Sequence, residues 1–173
     1  MKKRWTLALL IAVMGVGVFA AEVLATPNSG LTTTTVAQAP LPPVNINSEN
    51  RTAPPDGVPT AWRAMLRTYG ISDLYVVENT LAPGGTTGWH SHPGPSLIIV
   101  VSGSVTNYSP SEHDCAGHTY AAGASFIDAG GKDVHMLQNN GATPAQTVAV
   151  QFIPHGQPRR IDEPQPTSPN CPS

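Results

Sequence analysis

The sequence is poor in charge. Lys, Arg, Asp and Glu make up 12% of it, about half the usual share of roughly 25%. So little charge argues against a coiled coil, a solvated helical bundle and a charge-rich disordered chain. The nine Lys and Arg do not cluster past residue 4, which removes the basic footprint that a nucleic-acid surface needs. No convincing amphipathic helix can be traced. Only two cysteines are present, and neither lies near the N-terminal apolar run, which argues against a bacterial lipoprotein. Pro (18) and Gly (16) are abundant, together about a fifth of the 173 residues. With many Thr, this composition favours short strands and turns in a single domain.

The N-terminus reads as an export signal. Lys2, Lys3 and Arg4 are followed by an uncharged, mostly apolar run of 17 residues, Trp5 to Ala21. Val23-Leu24-Ala25 offers small residues at the −3 and −1 positions, so cleavage is expected after Ala25. The alternative is an uncleaved anchor, with the run at the short limit for a span. The positive residues do not make a good twin-arginine signal. Loss of residues 1–25 removes three basic residues and Glu22, leaving 6 basic and 10 acidic residues, net −4. Export places the protein outside the cytoplasm, secreted or in the periplasm or cell envelope. Membrane contact is then expected only through an uncleaved leader. An oxidising compartment would pair Cys115 with Cys171. That bond would tether a Pro-rich tail, residues 158–173, whose cysteine has no other reason to be ordered. Two free thiols or an intermolecular bridge are the alternatives.

Residues 26–58 are rich in Thr, Pro, Ala and Asn. The run Thr32-Thr33-Thr34-Thr35 and the pairs Pro42-Pro43 and Pro54-Pro55 point to a flexible or extended spacer. From 59 to 157 the texture changes to short apolar runs bounded by Gly and Pro. Turn signals every eight to twelve residues indicate an all-β barrel or sandwich. Its expected core is Leu74, Val76, Leu97, Ile99, Val101, Val105, Phe126, Val134, Leu137, Val148, Val150 and Phe152.

The chemistry lies in two stretches. The first runs from Gly84 through Trp89-His90-Ser91-His92 to Ser96 and Gly103. His90 and His92 are two apart, so a strand puts both imidazoles on one face. Two imidazoles on a rigid strand are half of a divalent metal site. Trp89 would then point to the opposite face, as packing. The second stretch runs from Gly123 through Gly130-Gly131 to His135 and Asn139, and can supply a third imidazole from a neighbouring strand. His113 and His118 flank Cys115 in a polar loop. His118 is a candidate fourth ligand or substrate contact, or a loop hydrogen-bonder. Arg159-Arg160 could meet an anion or stand solvated, and His155 is expected at the surface.

These two stretches resemble the paired motifs of the cupin superfamily. Gly84, His90, His92 and Gly103 fall in register with the first motif, with Ser96 where the pattern has Glu. Gly123, His135 and Asn139 match the second, with Ala129 in a Pro position and His135 one residue late relative to Gly131. The resemblance covers about residues 73–153. It implies a double-stranded β-helix, or jelly-roll barrel, holding a divalent metal in its mouth through His90, His92 and His135. Three imidazoles suit Fe, Mn, Zn, Ni or Cu. The missing carboxylate implies a metal with open positions and full charge, taking a small, anionic or chelating molecule, with Ser96 a further substrate contact. The expected activity is that of a metal-dependent, dioxygenase-like oxidoreductase. A non-catalytic module binding a small ligand or metal at the cell surface is the alternative, and a barrel without any site is a third. Small cupins often pair through strand edges, which leaves a homodimer open.

Overall fold

A computed structural model describes residues 25–50 and 62–173. The proposed leader, apart from Ala25, and residues 51–61 of the spacer and the start of the barrel domain lie outside the described residues. The described chain is all-β. Its only helical piece is a short 3-10 turn at His113–Cys115. The strands are β1 (Ser29–Leu41), β2 (Asn45–Asn50), β3 (Trp62–Arg67), β4 (Ser72–Thr86), β5 (His90–Ser91) and β6 (Ser96–Ser102). They continue with β7 (Ser104–Tyr108), β8 (His118–Ala121), β9 (Ser125–Asp128), β10 (Met136–Gln138), β11 (Ala145–Pro154) and β12 (Ile161–Asp162).

The main sheet runs β8-β7-β10-β4-β11-β6-β9, with β1 also on β4. Every pairing in it is antiparallel. The result is a nearly closed barrel, so few strand edges stay open. The expected barrel is therefore present, and Trp62–Arg67 is a strand.

The spacer expectation needs correction. Residues 29–41 are extended, but they are not free. They lie antiparallel along β4, from Ser29 opposite Thr86 to Leu41 opposite Ser72. β-branched Thr32 to Val36 suits a pleated surface, and the strand stops before the Pro42-Pro43 pair. Asn45–Asn50 pairs with β3 in a separate hairpin.

The inner face also differs from expectation. Val105, Phe126 and Leu137 are buried as expected, together with Leu81, Ile98, Val100, Ala145 and Ala149. Leu97, Ile99 and Val101 instead point outward and are exposed. Leu74, Val76, Val134, Val148, Val150 and Phe152 are only partly buried. Along β11 the inward residues are Ala145, Thr147, Ala149, Gln151 and Ile153. A continuous apolar run such as Leu97–Val101 carries no period-two signal, and a one-residue shift inverts both faces. The smaller and more polar alternation faces inward, where the barrel keeps a cavity.

The C-terminal tail, residues 158–173, packs against the barrel. Cys115 and Cys171 form a disulfide with Cα atoms 5.1 Å apart. β12 pairs with β5, Ile161 opposite Ser91 and Asp162 opposite His90. Trp89 is fully buried beside Met136 and the disulfide. Its indole Nε1–H donates to the Pro172 carbonyl at 3.1 Å.

Candidate metal centre

His90, His92 and His135 converge. Each offers a ring nitrogen, and these atoms all lie within 4.8 Å of one another. Backbone pairing builds the cluster. His90 and His135 form a reciprocal pair, each N–H donating to the other's carbonyl at 2.9 Å. Directly opposed residues carry their side chains on one face. The extra residue before His135 is absorbed in a turn where Gly130 and Gly131 both sit at φ 72°. A Cβ at Gly130 would overlap the Gly94 backbone, and one at Gly94 would overlap the Phe152 carbonyl oxygen. That close approach brings the His92-Pro93-Gly94 loop against the end of β9.

The ring orientations are held by hydrogen bonds. His90 Nδ1 lies 2.9 Å from the Gly88 carbonyl. His92 Nδ1 lies 2.6 Å from the Arg159 carbonyl. His135 Nδ1 lies 3.1 Å from Asn107 Oδ1. A nitrogen facing an oxygen acceptor carries the proton, so each Nδ1–H donates and each Nε2 keeps its lone pair. This is how metal-ligating imidazoles are oriented. Burial holds His135 down to about 3 and is the main cause of the lowering. It also pushes His90 well below the ordinary histidine range, with His135 and Arg160 adding to the effect. His92 is lowered by burial, against the pull of the Arg159 carbonyl and Asp128. All three rings are neutral near pH 7, the form that binds a metal.

One functional candidate escaped the sequence reading. Asp128, at the end of β9, is 3% exposed. Its Oδ2 is 3.8 Å from both His92 Nε2 and His135 Nε2. Its Oδ1 accepts from the Gly130 N–H at 2.9 Å. Asp128 Oδ2 and His135 Nε2 are both buried without a hydrogen-bond partner. Burying such atoms unpaired is costly. A divalent cation among them would satisfy both, so the residues present fit a metal. The alternation in Phe126-Ile127-Asp128 held the signal, since Asp128 shares a face with core residue Phe126.

The remaining candidates divide. Ser96 is buried in the cavity wall and accepts from Gln151 Nε2 at 2.9 Å. His118 is not brought in. It is exposed, 3.8 Å from Glu112 Oε2, in a separate hollow with Ser109 and Ser111. As the first residue of β8, opposite Asn107, it sits on the outer strand of the sheet. Asn139 is structural, donating to the Leu81, Ala82 and Thr143 carbonyls. His155 is mostly exposed and bonds Asp73 at 2.8 Å. The three histidines line a cavity of about 260 Å³ together with Ser96, Gln151, Arg159 and Arg160. Both arginines come from the tail. Arg159 Nη1 donates to Gln151 Oε1 at 3.1 Å, and Arg160 Nη2 to the Thr87 carbonyl at 2.7 Å.

A search of curated proteins returns no match. Among solved structures, an oxalate oxidase bound to the substrate analogue glycolate is similar at 23% identity and a TM-score of 0.44. That match covers 51% of this chain and 45% of that one, so less than half of the oxidase is represented. A Klebsiella pneumoniae protein with a double-stranded β-helix domain is 20% identical, with a TM-score of 0.44, over 70% of this chain and 85% of that one. A Thermotoga maritima protein described as a predicted oxalate decarboxylase is 19% identical, with a TM-score of 0.39, over 49% and 82%. The family pattern described as "Cupin domain" matches residues 77–151, which hold all three histidines and Asp128. With the barrel and the two histidine motifs in place, residues 77–151 form a cupin domain.

Proposed function

We propose that this protein is an exported metalloprotein that binds a divalent cation through His90, His92 and His135. We assign it to the metal-dependent oxidoreductases, dioxygenase-like in type, acting on a small anionic molecule. The observation that carries the reading is the set of three neutral imidazoles, each with its Nδ1–H tied back and its Nε2 aimed at one buried point. A cation bound there would act as a Lewis acid and, if redox-active, as an electron carrier. The chain's own residues do the rest. Arg159 and Arg160 in the cavity wall favour an anion. Ser96 and Gln151 offer hydrogen bonds to its polar atoms. Leu31, Ile98 and Leu137 form the apolar side of the cavity. The Cys115–Cys171 bond supports an oxidising compartment and hence export.

The test is elemental analysis of the full chain, exported by its own leader and purified without chelator or a His tag. Near-stoichiometric metal, absent from His90→Ala/His135→Ala, is expected. Dioxygen uptake with a panel of small carboxylates then reads the reaction. Saturable binding without turnover would leave the non-catalytic module. No metal after reconstitution with several divalent ions would overturn the reading.

The homodimer is supported by the inverted sheet face. Ile127, Leu97, Val150 and Val76 are register neighbours across β9, β6, β11 and β4, and Ile99 and Val101 extend this outward stripe. Among the described residues the β2–β3 hairpin pairs only with itself, and it exposes Ile46, Trp62 and Met65. A lone two-stranded hairpin is marginal in water. Its base meets the edge of the same face, where Leu66 and Tyr69 share a hollow with Phe152. A second copy, laying its hairpin on this face, covers both apolar surfaces at once.

A further inference from the structure

We propose that Asp128 is a fourth protein ligand of the metal site, a carboxylate supplied from β9 in place of the Glu that the family pattern puts at position 96. This rests on the metal-binding reading above. Three observations carry it. The first is register: Ser96 and Asp128 are direct partners across β6 and β9. Opposed residues share a face, so a carboxylate on either strand reaches the same end of the barrel. The second is aim. Asp128 Oδ2 stands 3.8 Å from two of the imidazole Nε2 atoms, and Oδ1 is anchored by the Gly130 N–H. Ligand atoms about 2.1 Å from a shared cation lie roughly 3.0–3.4 Å apart, so a closure of roughly 0.4–0.8 Å brings Oδ2 to coordination distance. The third is that the carboxylate is short of partners: the Gly130 N–H and the Ser96 hydroxyl hydrogen-bond it, and Oδ2 otherwise faces only the two imidazoles. Oδ2 is buried, and nearly all buried polar atoms are satisfied.

The chemical consequence is charge. Three neutral imidazoles leave a divalent cation at its full +2. A carboxylate lowers the site to +1 and shifts its preference toward harder ions such as Mn(II). The site is then a three-His, one-carboxylate centre, with the Ser96 hydroxyl hydrogen-bonded to the Asp128 carboxylate beside it.

The experiment titrates Mn(II) and Co(II) into the chelator-stripped, disulfide-bonded protein. It compares the parent, Asp128→Asn and the exchange variant Ser96→Asp/Asp128→Ser, and records visible spectra of the Co(II) forms. Asp128→Asn is expected to raise the Mn(II) Kd by about tenfold or more and to change the Co(II) absorption. The exchange variant is expected to recover most of the affinity, since its carboxylate returns on the opposite strand. Parent affinity and spectrum in Asp128→Asn would overturn the assignment while leaving the three-histidine site standing. A weaker Kd with an unchanged Co(II) spectrum would also overturn it, because charge alone would then act from outside the coordination shell. A parent that binds neither ion would remove the metal reading and this assignment together. Should Asp128→Asn fail to fold, the exchange variant decides: recovered binding supports the ligand, and folded protein without binding overturns it.

Discussion

Replacing both cysteines, Cys115→Ser/Cys171→Ser, asks how far the metal centre depends on the C-terminal strap. The bond closes a loop between residues 56 apart in sequence. The chain-entropy relation gives roughly 14 cal/mol/K for that length, about 4 kcal/mol at 25 °C. Contacts that keep the strap docked without the bond act against this loss. They include the β12–β5 pair, the Trp89–Pro172 bond and the Arg160–Thr87 bond. The net expectation is a loss of about 3–4 kcal/mol, a large share of an ordinary domain's 5–15 kcal/mol. At a slope of roughly 2 kcal/mol per molar, the urea midpoint falls by about 1.5–2 M. The site should weaken as well, because the acceptor that orients His92 is the strap's Arg159 carbonyl. Outer-shell losses of that kind reduce metal affinity about 10- to 100-fold. Urea titration followed by far-UV circular dichroism, with metal titration on the same samples, reads both effects. A midpoint shift under about 0.5 M with an unchanged metal Kd would refute the reasoning, since the strap would then dock without its bond.

Three further outcomes are expected. In chelated protein, stability should be full above about pH 7 and fall as pH drops below 6.5. The unfolded histidines take up protons there, while His135, held down to about 3, does not. His135 alone accounts for about 2 kcal/mol between pH 7.5 and 5. Asp128, raised by burial, opposes part of this as it nears its own midpoint, and a flat set of urea midpoints would contradict the account. Asn107→Ala should cost about tenfold in metal affinity with the fold intact, because it removes the acceptor at His135 Nδ1. Equal affinities in a metal titration would show that the ring needs no such partner. Light scattering should find a dimer for the parent and a monomer for Leu97→Lys/Ile99→Lys, whose side chains are about half exposed on the outer face. A monomeric parent would remove the second copy from that face.

Much of the site could be read from one strand. His90 and His92 announce themselves because period-two spacing is local, and His135 follows from its own glycine turn. The disulfide could be expected from the compartment and from an otherwise unanchored tail. Asp128 was missed because a lone Asp ending a short apolar run reads as a turn residue; alternation with Phe126 puts it on the inner face, and its pairing with Ser96 across β6 and β9 places it beside the histidines. The strand at 29–41 was missed for a related reason. A Thr-rich segment buries little by itself and is held by the edge of β4, a partner about 40 residues away.

The sequence by itself determined the all-β class, the barrel family and the three imidazoles. Each depends on patterns confined to a few neighbouring residues: turn glycines, strand spacing and paired motifs. The tertiary structure alone decided which alternation faces inward. In Leu97–Val101 both faces are apolar, so the strand carries no preference and its neighbours on the barrel choose. The structure also decided that two arginines of the tail line the cavity and that the carboxylate arrives from β9. These placements rest on contacts between residues 30 to 70 positions apart, where strand register and the disulfide, rather than local periodicity, set what meets what.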